Sequence, residues 1–285
     1  MTIKNVTVLG TGVLGAQIAF QSAYKGFTVT AYDINDAAID KARTFLDYLA
    51  GRYLTDVPGA DASTIAAARS RLTFVTDLAA AARDADLVIE AVPEKIELKR
   101  EIYAKLGAVA PAKAIFASNS STLLPSAMAQ STGRPEKFLA LHFANEIWTN
   151  NIAEVMGHPG TSPEVFRTVV DFASAIGMVP IEIHKEQAGY VLNSLLVPLL
   201  AAAGQLLVKG IASPQDIDST WKIATKSPKG PFEIYDIIGL NTAYAVSSTP
   251  GSGQENFAAY LKENYIDKGK LGVATGEGFY TYPRT

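Results

Sequence analysis

The sequence predicts an α/β fold in which a doubly wound, mostly parallel sheet is followed by a separate all-α C-terminal domain. Three observations carry this. Short β-branched runs alternate with helical patterns as far as Lys185, a glycine-rich turn closes the first of these runs, and only helical patterns follow Lys185. At 285 residues the chain can hold two cores, since a single core usually splits beyond ~250 residues, so domains are expected over 1–185 and 186–285.

In chain order, "NVTVLG", "FTVTAYD", "LTFVT", "ADLVIEAV" and "AIFASNS" are apolar runs ending in polar residues or glycine, as parallel strands covered on both faces do. Helical patterns separate them: Leu14 to Lys25 closed by Gly26, Asp36 to Ala50, Leu78 to Arg83, and Glu94 to Val109 closed by Pro111. "KFLALHF", "NIAEVM" and "MVPIEIH" add three strands, with a helix from Pro163 to Ile176 between the last two. Residues 34–71 form an excursion longer than a simple crossover needs. It reads either as a helical hairpin projecting around "VPGAD" or as an ordinary pair of crossover helices over Asp36 to Ala50 and Ala62 to Ser70. Helices are then expected over 186–209, 213–224, 231–246 and 254–268, before "GEGFYTYP".

Composition excludes several function classes. A net charge of -3 gives no electrostatic reason to expect nucleic acid or an anionic membrane as partner. With no cysteine, disulfides, thiolate catalysis and cysteine-ligated metals are excluded, and three scattered histidines make no metal site. The opening "MTIKNVTVLG" enters a strand within three residues, leaving no room for a signal peptide, so a cytoplasmic protein is expected. Gln187 to Val208 is uncharged and long enough to span a bilayer. Because it carries Asn193, Ser194, Pro198, Gly204 and Gln205, it is read as a helix buried between domains or subunits.

Chemistry begins at "VLGTGVLG". Gly10, Gly12 and Gly15 have the G-x-G-x-x-G spacing, follow a strand and open a helix, and Asp33 ends the next strand. Alone the spacing is weak; in this setting it is the fingerprint of a Rossmann-like dinucleotide site. Gly10 makes the turn, Gly12 admits the pyrophosphate to the helix N-terminus, and Gly15 allows close packing. Asp33 would accept from the ribose hydroxyls and repel a 2'-phosphate, which favours NAD over NADP. "SNSSTLLPS" follows a strand, at the edge where open α/β sheets bind ligands, although Ser121 or Thr122 there could equally cap a helix. In "ALHFANEIWTNNIAEVMG", His142 lies in one apolar run and Glu154 in another. By itself that is a satisfied core histidine and an unrelated strand glutamate.

Together these strings resemble a family. "GTGVLG", "SNSSTL", "RPEKFLALHF", "AEVM", "GYVLNSLLVP", "PKGPFEIYDIIGL" and "TGEGFYTY" occur in the order and spacing of the 3-hydroxyacyl-CoA dehydrogenases, over essentially the whole chain. The resemblance implies an NAD-binding Rossmann-like domain, a helical domain through which subunits form a homodimer, and an acyl-CoA as small-molecule substrate, its CoA held partly by the excursion. It implies His142 and Glu154 as the catalytic pair, Ser121 against substrate and nicotinamide, and Asn193 against substrate. Contacts to NAD fall on Gly10, Gly12, Val13, Leu14, Gly15, Asp33, Glu94, Lys99, Ser121 and Asn145. The chain departs from the family where Ala144 and Glu146 replace a phenylalanine and a proline, Ser194 an arginine, and Glu277 a lysine.

The implied reaction is NAD-dependent oxidation of an (S)-3-hydroxyacyl-CoA to the 3-ketoacyl-CoA. Removing a hydroxyl proton while hydride leaves carbon needs a base near neutrality, which His142 can supply and Glu154 can orient. His158 and His184 read as structural. Two alternatives stay open: an NAD-dependent hydroxy-acid or sugar-acid dehydrogenase of the related lambda-crystallin and L-gulonate dehydrogenase group, and a non-catalytic NAD-binding protein.

Overall fold

The computed structural model describes residues 2–283. The chain divides into two compact units, Met1–Val191 and Leu192–Thr285, with the boundary a few residues beyond 185.

The first unit is built on eight strands: β1 (Asn5–Leu9), β2 (Thr28–Tyr32), β3 (Leu72–Val75), β4 (Leu87–Glu90), β5 (Ile115–Ser118), β6 (Phe138–Phe143), β7 (Ile152–Met156) and β8 (Val179–Ile183). They lie in the order β3-β2-β1-β4-β5-β6-β7-β8. Every neighbouring pair is parallel except β6 and β7. All residues of β4, β5 and β6 are buried, which is why those segments read as unbroken apolar runs rather than alternating ones. Helix α1 (Val13–Tyr24) follows the glycine turn, α4 (Leu78–Ala82) and α5 (Ile96–Val109) flank the centre, and α7 (Pro163–Ala175) joins β7 to β8.

The excursion forms two helices, joined to each other by Arg69, which donates to Leu46 O and to Asp47. α2 (Asp36–Asp56) buries Ile39, Ala42, Leu46, Leu49, Ala50 and Tyr53, a helical stripe, and α3 (Ala62–Ser70) buries Ile65 and Ala68. Both pack on α1. Tyr53 seals the joint: its hydroxyl donates to Gln21 Oε1 and its ring meets Phe20 edge-on at 4.8 Å. Asn35 caps α2, and Asp61 with Thr64 forms a capping box on α3. A short helix that the sequence pattern does not show, α6 (Ser126–Ala129), has Pro125 as its N-cap residue and no side-chain cap, so neither Ser121 nor Thr122 caps it.

α8 (Tyr190–Val208) starts later than expected because Gly189 (φ 80°) and Tyr190 (φ 54°) form a left-handed turn. It is the one helix among the described residues long and apolar enough to cross a membrane, and 17% of its apolar window is buried. The second unit continues with α9 (Pro214–Thr225), α10 (Pro231–Ile238), α11 (Leu240–Ser247) and α12 (Glu255–Asn264). The expected single helix over 231–246 is two, since Gly239 at φ 89° breaks it and Leu240 N–H turns to Leu271 O. Phe232, Tyr235, Phe257, Leu261 and Phe279 form the core. "GEGFYTY" is held by a buried carboxylate: Asp236 accepts from the Phe279 and Tyr280 N–H groups and the Tyr282 hydroxyl. A Cβ at Gly278 would lie 2.0 Å from Asp236 Oδ1, so the motif needs glycine there.

Candidate active site

β6 alternates: Leu139, Leu141 and Phe143 face the core shared with α1 and α7, while Ala140 and His142 face the opposite side. Because β6 and β7 are antiparallel, His142 pairs directly with Glu154, and both side chains rise from the same face. His142 Nδ1 lies 2.9 Å from Glu154 Oε2, both groups buried. The second carboxylate oxygen accepts from Val191 N–H at 2.9 Å. The other imidazole nitrogen, Nε2, lies 3.1 Å from Ser121 Oγ. A carboxylate on Nδ1 holds the proton there and leaves the Nε2 lone pair toward Ser121. Three residues far apart in sequence thus form one chain, Ser121–His142–Glu154.

The serine loop is fixed by Glu94, just beyond β4. Glu94 Oε1 accepts from the Ser120 hydroxyl and from Thr122 through its N–H (3.0 Å) and hydroxyl (2.8 Å), clamping both neighbours of Ser121. Partial burial opposes ionisation, yet the hydrogen bonds from Ser120 and Thr122 and the charge of Lys99 bring the Glu94 carboxyl down to about 2. This depressed value means the clamp is present above the ordinary carboxylate range and is lost only as pH falls toward 2. Beneath it Lys99, expected as a contact to NAD, is 1% exposed, and its ammonium meets Glu94, the Val92 carbonyl and Glu90, a partner that no sequence pattern marks. Glu90 also accepts from the Val92 N–H and the Ser118 and Tyr103 hydroxyls.

A cavity of about 380 Å³ opens beside this cluster, with Gly12, Val13, Leu14 and Gly15 on one wall and Glu94, Lys99, Asn119 and Ser121 on another. The glycines fit a dinucleotide. Gly10 (φ 91°) has no room for a side chain, since a Cβ would lie 2.7 Å from Ala91 O; at Gly15 it would lie 2.0 Å from Gly10 O. At Gly12 a Cβ would meet nothing within 4 Å, leaving open the space a pyrophosphate needs at the N-terminus of α1. Asp33 directly follows β2 and is held against the same turn, with Thr11 N–H (2.8 Å) and hydroxyl (2.7 Å) donating to Oδ2.

Asn145 is exposed, in the loop after β6. That loop is anchored by Glu146 N–H donating to Gln17 Oε1 on α1 at 2.8 Å. Glu146 adopts φ 58°, a left-handed geometry closed to proline, whose ring holds φ near −65°. Its carboxylate lies 3.5 Å from Arg52, which also pairs with Asp56, the acceptor of the Trp148 ring N–H. Asn193 belongs to the second unit, in the first turn of α8, with Ser194 beside it. Glu277 pairs with Lys270. His158 is bonded to Pro135 O and Gly160 N–H, as a structural residue would be.

Two family models match the chain end to end: 3-hydroxyacyl-CoA dehydrogenase, NAD binding domain, over residues 5–187, and its C-terminal domain over residues 189–282. The mitochondrial hydroxyacyl-coenzyme A dehydrogenase of Rattus norvegicus is 35% identical, over 98% of this chain and 91% of its own. A probable 3-hydroxybutyryl-CoA dehydrogenase of Deinococcus radiodurans is 33% identical, over 96% and 99%. Among solved structures, a diketoreductase described for substrate-directed dual catalysis of dicarbonyl compounds is 65% identical, covers 99% of this chain and 100% of its own, and superposes with a TM-score of 0.96. The (S)-3-hydroxybutyryl-CoA dehydrogenase of Ralstonia eutropha is 30% identical, over 99% and 100%, with a TM-score of 0.85.

Proposed function

The chain belongs to the 3-hydroxyacyl-CoA dehydrogenase family and is an NAD-dependent oxidoreductase, and from that premise we propose that it interconverts a 3-hydroxyacyl and a 3-ketoacyl group, with His142 as the acid and base. The observation that carries this is the Ser121–His142–Glu154 chain beside the dinucleotide cavity. When bound, NAD supplies the hydride acceptor. Neutral His142 takes the hydroxyl proton on Nε2; Glu154 keeps Nδ1–H in place and supports the imidazolium that forms. Ser121 hydrogen-bonds the reacting oxygen, held at its post by Glu94. In the reverse direction the imidazolium returns the proton to the ketone oxygen.

For the acyl carrier there are two readings. The CoA thioester follows the relatives at 30–35% identity. A dicarbonyl compound without CoA follows the diketoreductase at 65% identity. The two share one chemistry, because a 3-ketoacyl thioester is itself a dicarbonyl. The test is NADH oxidation with acetoacetyl-CoA, ethyl acetoacetate, 2,4-pentanedione and dehydro-L-gulonate. We expect turnover of the 3-oxo compounds, with the ratio of thioester to CoA-free rates identifying the carrier. NADPH should be poorer by at least about tenfold, the equivalent of ~1.4 kcal/mol, because Asp33 meets its 2'-phosphate. Turnover of dehydro-L-gulonate alone, or of nothing, would overturn the proposal.

The same family reading gives a homodimer. α8 leaves Leu195, Val197 and Leu206 exposed, an apolar surface of the kind that marks interfaces. Light scattering should give twice the chain mass at micromolar concentration; a monomer would contradict it.

A further inference from the structure

Tyr190 lies in an unusual backbone state over the catalytic imidazole. It is one of three non-glycine residues with positive φ among the described residues, at 54°, directly after Gly189 at 80°. Such geometry is disfavoured for a bulky aromatic residue and persists only where its surroundings over-determine it. The surroundings here are specific. The Tyr190 ring is 1% exposed and lies nearly parallel to the His142 ring, with centroids 4.4 Å apart and planes 12° off. Its hydroxyl donates to Ser120 O at 2.6 Å, beside the catalytic serine. The next residue, Val191, gives its N–H to Glu154. The left-handed turn therefore delivers one ring and one N–H to the two members of the dyad.

We infer that Tyr190 is a positioning residue for this reaction: its ring fixes the tilt of the His142 imidazole and supports the imidazolium by face-on stacking. This rests on the proposed role of His142. A stacked aromatic face attracts a cation, most strongly where water is excluded. The charged groups around the pair are Glu154 on β7, Glu90 at the end of β4, Glu94 just beyond it, and Lys99 on α5, which pairs with the latter two carboxylates. Burial, with the charges of Glu94, Glu154 and Glu90, pushes the Tyr190 phenol upward, so it stays protonated and neutral near neutral pH. The ring thus acts through its face and not through a proton of its own.

The experiment compares Tyr190→Phe and Tyr190→Leu with the unaltered enzyme by turnover and by NMR titration of the imidazoles. Only three histidines are present, and His142→Gln assigns the signal. Tyr190→Phe keeps the stack and should retain turnover and titration. Tyr190→Leu should lose roughly 10- to 30-fold in kcat, with little change in NADH affinity, and its His142 titration should move to lower pH. In the unaltered enzyme the His142 Cε1 proton should lie upfield of those of His158 and His184 through the tyrosine ring current, a reading that needs no variant to fold. Absence of that displacement, an unchanged titration in Tyr190→Leu, or an equal loss in Tyr190→Phe would overturn the inference. Near-normal turnover in His142→Gln would instead overturn the role of His142 while leaving the stacking measurable.

Discussion

Replacing His142 with Gln is expected to lower turnover about 100- to 10,000-fold in both directions, the usual worth of general acid–base catalysis, while NAD affinity stays near its starting value. Glutamine is the informative choice because its amide can still donate to Glu154, so the buried carboxylate keeps a partner. Glu154→Gln keeps an acceptor for Nδ1–H but removes the charge that supports the imidazolium. It should cost roughly 10- to 100-fold, as charged hydrogen bonds do. On the proposed mechanism Glu154 works through His142, so the double variant should be little worse than His142→Gln alone. Independent, multiplying losses in steady-state kinetics would mean the two residues do not act as a unit.

The second large effect is on stability. Lys99→Met should destabilise the first unit by about 3–5 kcal/mol, because it leaves Glu90 fully buried without its cation. At about 2–4 °C per kcal/mol, thermal melting should fall by roughly 6–20 °C. Pairing the change with Glu90→Gln removes the stranded charge and should recover most of the loss. Failure of that recovery would mean that Lys99 serves by packing rather than by pairing. The ion pair lies directly under the Glu94 clamp, so the single variant should also weaken cofactor binding.

Much of this architecture is legible before any coordinates. Parallel strands buried on both faces must be apolar at nearly every position, so β4 and β5 stand out in "ADLVIEAV" and "AIFASNS". The glycine turn declares itself because Gly10 and Gly15 leave no room for a Cβ. Other features have no local signature. A strand pattern gives the face of a residue but not the direction of its neighbour, so only the antiparallel β6–β7 register makes His142 and Glu154 a pair. Resemblance, rather than pattern, brought those two residues together. Glu90 reads as an ordinary strand end and Tyr190 as one more aromatic in an apolar helix. Their roles come from side chains delivered by α5, β5 and the turn at Gly189. The break at Gly239 is hidden because the apolar periodicity continues through it, and the excursion's packing depends on Gln21 and Tyr53 meeting across 32 residues.

The central claim, that His142 carries the proton in both directions, is tested most directly by the pH dependence of the two reactions on one enzyme. Alcohol oxidation needs the neutral imidazole, so its rate should rise with pH; ketone reduction needs the imidazolium and should fall. Both profiles should share a midpoint, provided chemistry limits the rate. Glu94 at about 2 and the phenols of Tyr190 and Tyr103, held well above their ordinary value by burial, do not titrate near neutrality. Opposite slopes about a common midpoint, moving together to lower pH in Glu154→Gln, are the predicted result. Profiles that run in the same direction, or that keep their shape in His142→Gln, would contradict it.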